Sequence, residues 1–426
     1  MTAPLDRRLG LLGSVAVGTG AMIGAGLFVA FPPAAAAAGD GLLLALGIAA
    51  AVAACNAISS ARLARRHPVA GGTYAFGRER LGPLWGYLAG WSFVAGKTSS
   101  CAAMAFALGT YIWPDHARLL ALGAVVVVTA VNLAGVEKSA AVSIAVVAAV
   151  VGVVLVAVVA MLGGPAAPDA GGSGVTSGGV LQASGLLFFA FAGYARLATL
   201  GEEVREPART IPVAMAVTFV LVLALYTAAA AALLHSLGTV TLAESLRPFV
   251  AGVDAAGARV LVPSVLAAAA LAAGGALLSL MLGVSRTTLA MARDGHLPRA
   301  LAGVSPRTRV PHVAEVAVAL VVAGLICVGD LITSVTFSSY CVLAYYAITN
   351  LAAWTLSRSP SWRVVCALGL AGCLTLALGL PTSTVIAGTV VIGLGAANYL
   401  CKRSSWPADG GWGHPPLTVP PPREVS

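Results

Sequence analysis

Apolar residues run along this chain in blocks of about 20, the length an α-helix needs to cross ~30 Å of hydrocarbon. Short stretches between the blocks gather most of the charge. Windows of that width mark segments at 11–31, 39–61, 84–112, 117–134, 139–162, 180–200, 212–235, 260–290, 313–330, 332–356, 362–380 and 383–401. The pattern predicts an all-α membrane protein of about twelve transmembrane helices without a soluble domain. Only Leu5-Asp6-Arg7-Arg8 leads into the first block, and no small-residue cleavage site followed by a polar chain comes after it. It reads as a retained helix rather than a signal peptide. The Gly/Ser/Pro-rich stretch 163–179 reads as a flexible outer linker, and the proline-rich stretch 402–426 as a disordered tail.

Basic residues set an orientation. With an even number of spans and the N-terminus inside, 20 Lys and Arg fall in inner loops and three (Arg118, Arg247 and Arg259) in outer ones. That asymmetry predicts a multi-pass plasma-membrane protein with both termini in the cytoplasm. It also accounts for the net charge of +9, so no nucleic-acid partner is expected. Composition points the same way: 59% of the 426 residues are apolar and 10% charged, against roughly 25% charged in soluble domains. A soluble enzyme, a disordered chain and a disulfide scaffold are excluded. The seven cysteines lie in or at the ends of apolar blocks without ligand spacing and read as small buried hydrophobes.

Two blocks carry helix-breaking chemistry at mid-depth. Gly18-Thr-Gly-Ala-Met-Ile-Gly-Ala-Gly-Leu-Phe28 holds four glycines in nine residues, each weakening a helix interior by roughly 1 kcal/mol relative to Ala. Phe188-Phe-Ala-Phe-Ala-Gly-Tyr-Ala-Arg196, centred on Gly193, is the second. Unwound backbone is tolerated inside a bilayer only where it lines a cavity or is buried in protein. The breaks fall in the first and sixth blocks, matching positions if blocks one to five repeat as six to ten. Paired breaks of this kind point to the substrate site of a secondary transporter. The alternative is that the glycines only let helices pack closely.

Gly20-Ala-Met-Ile-Gly-Ala-Gly-Leu-Phe28 is similar to the first-helix signature of the amino acid–polyamine–organocation superfamily of transporters. His67-Pro-Val-Ala-Gly-Gly-Thr-Tyr-Ala-Phe76 with Gly86-Tyr-Leu-Ala-Gly-Trp91 resembles its connection between the second and third helices. Phe188–Gly193 with Gly201-Glu-Glu-Val-Arg-Glu-Pro-Ala-Arg-Thr-Ile-Pro212 resembles the sixth helix and its cytoplasmic exit. Ser285-Arg286 with Met291-Ala-Arg-Asp-Gly-His-Leu-Pro298 resembles the end of the eighth. The resemblance implies an amino acid permease with a five-plus-five inverted-repeat (LeuT-like) fold, discontinuous in helices one and six. One transporter domain, 1–401, would hold repeat one at about 11–162, repeat two at about 180–356, and two extra helices at 362–401. It also implies a site in which an amino acid's carboxylate meets the N–H groups of Gly24, Ala25 and Gly26, beside Ile23. The substrate ammonium would meet the carbonyls of Met22, Phe189 and Ala192. Phe189 and Phe191 would wall or gate the pocket, or simply pack.

Two charges are counted inside the spans, Lys97 and Arg196. Lys97 lies roughly 20 Å past Pro83 along a helix, where a charge costs about 2.5–3.5 kcal/mol to insert. Followed by Thr98, Ser99 and Ser100, it is expected to point at a polar cavity near the breaks. Sodium-coupled relatives hold a cation beside the first helix, and others place a fifth-helix lysine there; the position aligned with that lysine is Val150. Lys97 is therefore expected to substitute for it from the third helix, either as a coupling group that gains and loses a proton or as a fixed structural cation. Arg196 stands near the place where many relatives with cationic substrates carry an acidic residue, which favours neutral amino acids. It can also pair with Glu202 or Glu203. Ion pairs among Glu202, Glu203, Arg205, Arg209, Arg286, Arg293 and Asp294 are candidates for an inward latch.

Gly96-Lys97-Thr98 imitates the end of a phosphate-binding loop, but Trp91 stands where the loop needs its first glycine. The six histidines show no ligand pair, and neither a nucleophile elbow nor a Ser-His-Asp arrangement is readable. No enzymatic activity, ATP drive, metal or cofactor is expected. The function read from the chain is secondary active amino acid transport by alternating access, coupled to protons or to exchange. Two alternatives stand beside it: a cationic amino acid or polyamine antiporter or exporter, and a membrane sensor that binds amino acid without moving it. A channel lacks the polar stripe it would need.

Overall fold

The computed structural model describes residues 10–67, 72–135, 140–168, 174–198 and 204–403. Its helices are α1 (Leu11–Val29), α2 (Phe31–Ala38), α3 (Leu42–Arg66), α4 (Thr73–Leu81), α5 (Pro83–Ile112), α6 (Ala117–Leu133), α7 (Ala140–Gly163) and α8 (Ser177–Phe191). They continue with α9 (Ala195–Ala198), α10 (Pro207–Glu244), α11 (Pro248–Ala255), α12 (Val262–Arg293), α13 (His312–Val328), α14 (Leu331–Trp354), α15 (Pro360–Gly379) and α16 (Thr382–Arg403). Among the described residues, nine helical stretches are long and apolar enough to cross a membrane, and α13 is apolar with 17 residues. Three of the twelve expected segments stand outside those nine: α13, then α8 with 15 residues, and α5, which with 30 carries Gly96-Lys97-Thr98-Ser99-Ser100 at its middle.

The helix ends follow local chemistry. Prolines open α2, α5, α10, α11 and α15, where a missing N–H costs nothing. Asp330 caps α14 by accepting from the Thr333 amide at 2.7 Å, and Thr176 caps α8 by accepting from the Gly179 amide. The short helices α2, α4, α9 and α11 went unread in the sequence because none is long enough to register as a span. The linker after α7 is tied in its described part, where the Ala167 amide donates to the His235 carbonyl at 2.7 Å. The stretch 404–426, read as a tail, lies outside the described residues.

The bundle has an inside and an outside. Burial reaches 65% of the apolar window in α1 and 67% in α14 but only 17% in α6 and 22% in α16, which places the first pair centrally and the second at the rim. Rim residues such as Leu119, Val126, Leu394 and Leu400 are exposed, as a lipid-facing surface requires. Of the cysteines, Cys101, Cys341, Cys366 and Cys373 are buried, Cys55 is intermediate, and Cys327 and Cys401 are exposed. In the interior α5 lies against α12 and α14. The Ser99 hydroxyl donates to the Ser334 carbonyl at 2.8 Å and Ser100 meets Ser338 at 2.6 Å, so these serines join helices rather than face a cavity.

Candidate functional site

The helical run of α1 is interrupted at Gly24, whose φ of −16° and ψ of −140° leave the helical region. Only one of the four glycines in that segment does so. A Cβ on Gly18 would meet Leu197, one on Gly20 would meet Val147, and one on Gly26 would sit 2.6 Å from the Ala190 Cα. For these three, close helix packing is the role the geometry supplies. The second interruption follows α8, which gives way to a 3₁₀ turn at Ala192–Tyr194 and then to α9. The two interruptions touch: a Cβ on Gly193 would lie 2.3 Å from the Ala21 carbonyl oxygen and 2.6 Å from the Met22 nitrogen. Glycine there is a steric requirement, since backbone atoms of one broken segment rest on the other.

Two side chains seal the freed carbonyls. The Tyr226 hydroxyl, from α10, donates to the Met22 carbonyl at 2.6 Å and approaches the Ala190 carbonyl at 3.1 Å, bridging α1 and α8. Lys97 is only 5% exposed, and its ammonium donates to the Ala192 carbonyl at 3.1 Å. Lys97 thus joins α5 to the turn that interrupts the sixth span. The Phe189 carbonyl accepts from the Ala192 amide, so all three carbonyls expected to receive a substrate ammonium already accept protein donors, each keeping a second lone pair.

The remaining expected residues divide. Met22, Ile23, Gly24 and Gly26 on α1 and Phe189 and Ala192 on the other segment are all buried. Phe191 packs between Phe219 and Tyr226, at ring-centroid distances of 5.9 and 5.2 Å. The side chain of Ala25 lies outside the described residues, as do Glu202 and Glu203 entirely. Arg196 is half-buried on α9, and Arg286 is exposed on α12. Beside Lys97 and Arg196, the expected segments hold a further charged residue that the sequence reading passed over: Glu315 on α13, which is fully buried. It falls in the fourth position of its helix, where a carboxylate reads as an ordinary end-of-span residue.

A cavity of about 350 Å³ opens between α1, α7 and α12. Gly20, Ala21 and Ile23 of α1 form one wall, Val150 and Ser143 of α7 another, and Ala276 and Ser279 of α12 the third. Gly24 abuts it, since a Cβ there would sit 2.8 Å from the Ala276 Cβ. Val150 therefore faces the hollow beside the first interruption, whereas Lys97 binds the second.

At the end of the bundle where α4 meets the end of α12, Arg78 pairs with Asp294 at 2.8 Å, and the Tyr74 hydroxyl donates to the same carboxylate. Asp294 takes these partners from α4, while Glu202 and Glu203 of the expected grouping lie outside the described residues. Burial, then the Asp294 carboxylate, push the Tyr74 phenol well above its ordinary value, which keeps its proton in place. With Tyr74 donating to Asp294, the contact of 2.9 Å with His296 is one in which Nδ1–H donates to the phenol oxygen.

A bundle with two mutually contacting helix interruptions and an apolar rim is the architecture of a membrane carrier. Comparison with known proteins gives the class: the amino acid permease family matches residues 13–397. The chain belongs to that family, a multi-pass membrane transporter and not an enzyme. It is 53% identical over 404 residues to a protein of Mycobacterium tuberculosis described as an uncharacterized transporter, covering 94% of this chain and 92% of the relative. A branched-chain amino acid permease of Bacillus subtilis is 26% identical over 348 residues, covering 73% of this chain and 72% of its own length. Cationic amino acid transporter 4 of Homo sapiens is 28% identical over 386 residues, covering 81% of this chain and 59% of the human protein.

Proposed function

We propose that this protein carries neutral amino acids across the plasma membrane by alternating access. Twelve spans form a five-plus-five inverted repeat with two further helices, and both termini lie in the cytoplasm. The substrate sits where Gly24 interrupts α1 and Ala192–Tyr194 interrupts the sixth span. Its carboxylate meets the first-turn N–H groups at Gly24, Ala25 and Gly26, and its ammonium meets the carbonyls around Ala192. A half-helix directs the positive end of its dipole and its free N–H groups at an anion, and freed carbonyls suit a cation.

The observation that carries the preference for a neutral side chain is Lys97. Its buried ammonium on the Ala192 carbonyl puts a positive charge against the interruption. A neutral amino acid arrives as a zwitterion of zero net charge, whereas a cationic side chain adds a net positive charge against this like charge in a poorly screened setting. The name of the Bacillus relative, a branched-chain amino acid permease, agrees with this reading. The human relative's name supports a second reading, a cationic amino acid carrier, which would need an acidic acceptor at the site. Lys97 also serves as the fixed cation of the cycle, doing from the third span what Val150 cannot do from the fifth.

Purified protein in liposomes, offered labelled neutral, cationic and acidic amino acids with and without a pH gradient, tests the proposal. Uptake of neutral amino acids above empty liposomes is expected. Absence of uptake for every amino acid overturns transport, and preferential uptake of lysine or arginine overturns the substrate class.

A further inference from the structure

Glu315 is a buried ionisable group that the proposed amino acid site does not use. It lies in the first turn of α13 and is 0% exposed. Its Oε1 accepts from the Asn132 side-chain amide of α6 at 2.7 Å, and the same amide reaches the Leu278 carbonyl of α12 at 3.4 Å. Its Oε2 is enclosed and has no hydrogen-bond partner. Among the described residues Glu315 joins no ion pair.

The elements around α13 supply no compensating charge at the carboxyl. From α6 comes the neutral Asn132, from α12 the Leu278 carbonyl, and from α5 the Cys101 thiol. His312 on α13 itself and Arg299 in the turn Arg299–Ala302 are exposed. A carboxylate with one oxygen unsatisfied in such a place is costly to keep charged. A metal ion would need several converging oxygens, and no group of three His, Cys, Asp or Glu side chains gathers among the described residues. A proton needs one oxygen. Cys101 also lies within electrostatic range of both Glu315 and Lys97, and Lys97 is one helical turn earlier on α5.

We propose that Glu315 is a proton-binding carboxyl of the transport cycle, positioned by Asn132. A proton delivered by water forms an O–H bond at Oε2, and that bond breaks when the proton returns to water in another conformation. The protonation itself stands on the Glu315 geometry alone; its place in the cycle rests on the transport reading above.

Infrared difference spectra of the full-length protein, stepped in pH in detergent, read the group directly. A carboxylic-acid carbonyl band that titrates in the wild type and is missing in Glu315→Gln is expected. Asn132→Leu, which keeps the carboxyl but removes its donor, is expected to displace the midpoint of that band. In liposomes, whatever transport Glu315→Gln retains is expected to lose its dependence on pH. The proposal is overturned by a titrating band unchanged in Glu315→Gln, by no titrating band in the wild type, or by a wild-type pH profile in the variant. If the wild type moves no amino acid, the transport reading falls while the infrared band still decides the protonation.

Discussion

The first and sixth spans are interrupted by different means. In α1 a single residue, Gly24, leaves the helix, and the helix resumes at once. After α8 the chain passes through a three-residue 3₁₀ turn before a four-residue helix. Their seals differ as well: the Met22 carbonyl accepts from a neutral phenol, the Ala192 carbonyl from a buried ammonium. The first interruption is a single glycine leaving the helix, sealed by a neutral phenol from α10, and the second is a longer turn held by a charged side chain from α5. A break of the first kind should survive loss of its neighbours, whereas one of the second kind should respond to them.

The largest effect is expected where the two meet. In Gly193→Val the new Cβ would lie 2.3 Å from the Ala21 carbonyl oxygen, a backbone atom that cannot swing aside. Overpacking of this sort typically costs about 1–3 kcal/mol, and here it also pushes the two broken segments apart. Loss of substrate uptake and a lower melting temperature in detergent are expected; wild-type values for both would show that the contact is dispensable.

Lys97→Met comes next and touches only the second interruption. Methionine keeps an unbranched apolar side chain one atom shorter and removes the charge. Folded yield should hold, while uptake falls by about tenfold or more, the equivalent of at least ~1.4 kcal/mol in the barrier. Full uptake with an unchanged response to pH would show that the cycle needs no positive charge at this position.

Much of this comparison was readable in the sequence, and the remainder shows what a sequence withholds. Glycine density located the first interruption, but which of Gly18, Gly20, Gly24 and Gly26 leaves the helix depends on what each packs against. The depth of Lys97 in an apolar block marked it as inward-facing, yet Ser99 and Ser100, read as its polar companions, turned out to bond α14. Arg78 and Asp294, 216 positions apart, meet only through the fold. Glu315 stands near the start of its span, and its burial is imposed by α5, α6 and α12 rather than by its own neighbours. Tyr226 lies in an apolar helix with no local mark of a role; only the convergence of two broken segments gives its hydroxyl two carbonyls.

Tyr226→Phe removes the neutral seal that bridges α1 and α8, and its effect should be the smallest of the three. Phenylalanine fills the same space and keeps the edge contacts with Phe31 and Phe191, whose ring centroids lie 6.3 and 5.2 Å away. What disappears is the hydroxyl shared by the Met22 and Ala190 carbonyls. A typical hydrogen bond contributes about 0.5–1.5 kcal/mol net, and stranding a buried acceptor costs about 1–3 kcal/mol. The loss shrinks if a bound ammonium takes up the vacated lone pair at Met22. Thermal stability without substrate should fall, and a neutral amino acid should restore more stability to Tyr226→Phe than to the wild type. Equal stabilisation of the two proteins would mean that the Met22 carbonyl does not meet the substrate, and the ammonium would then belong wholly to the Ala192 side.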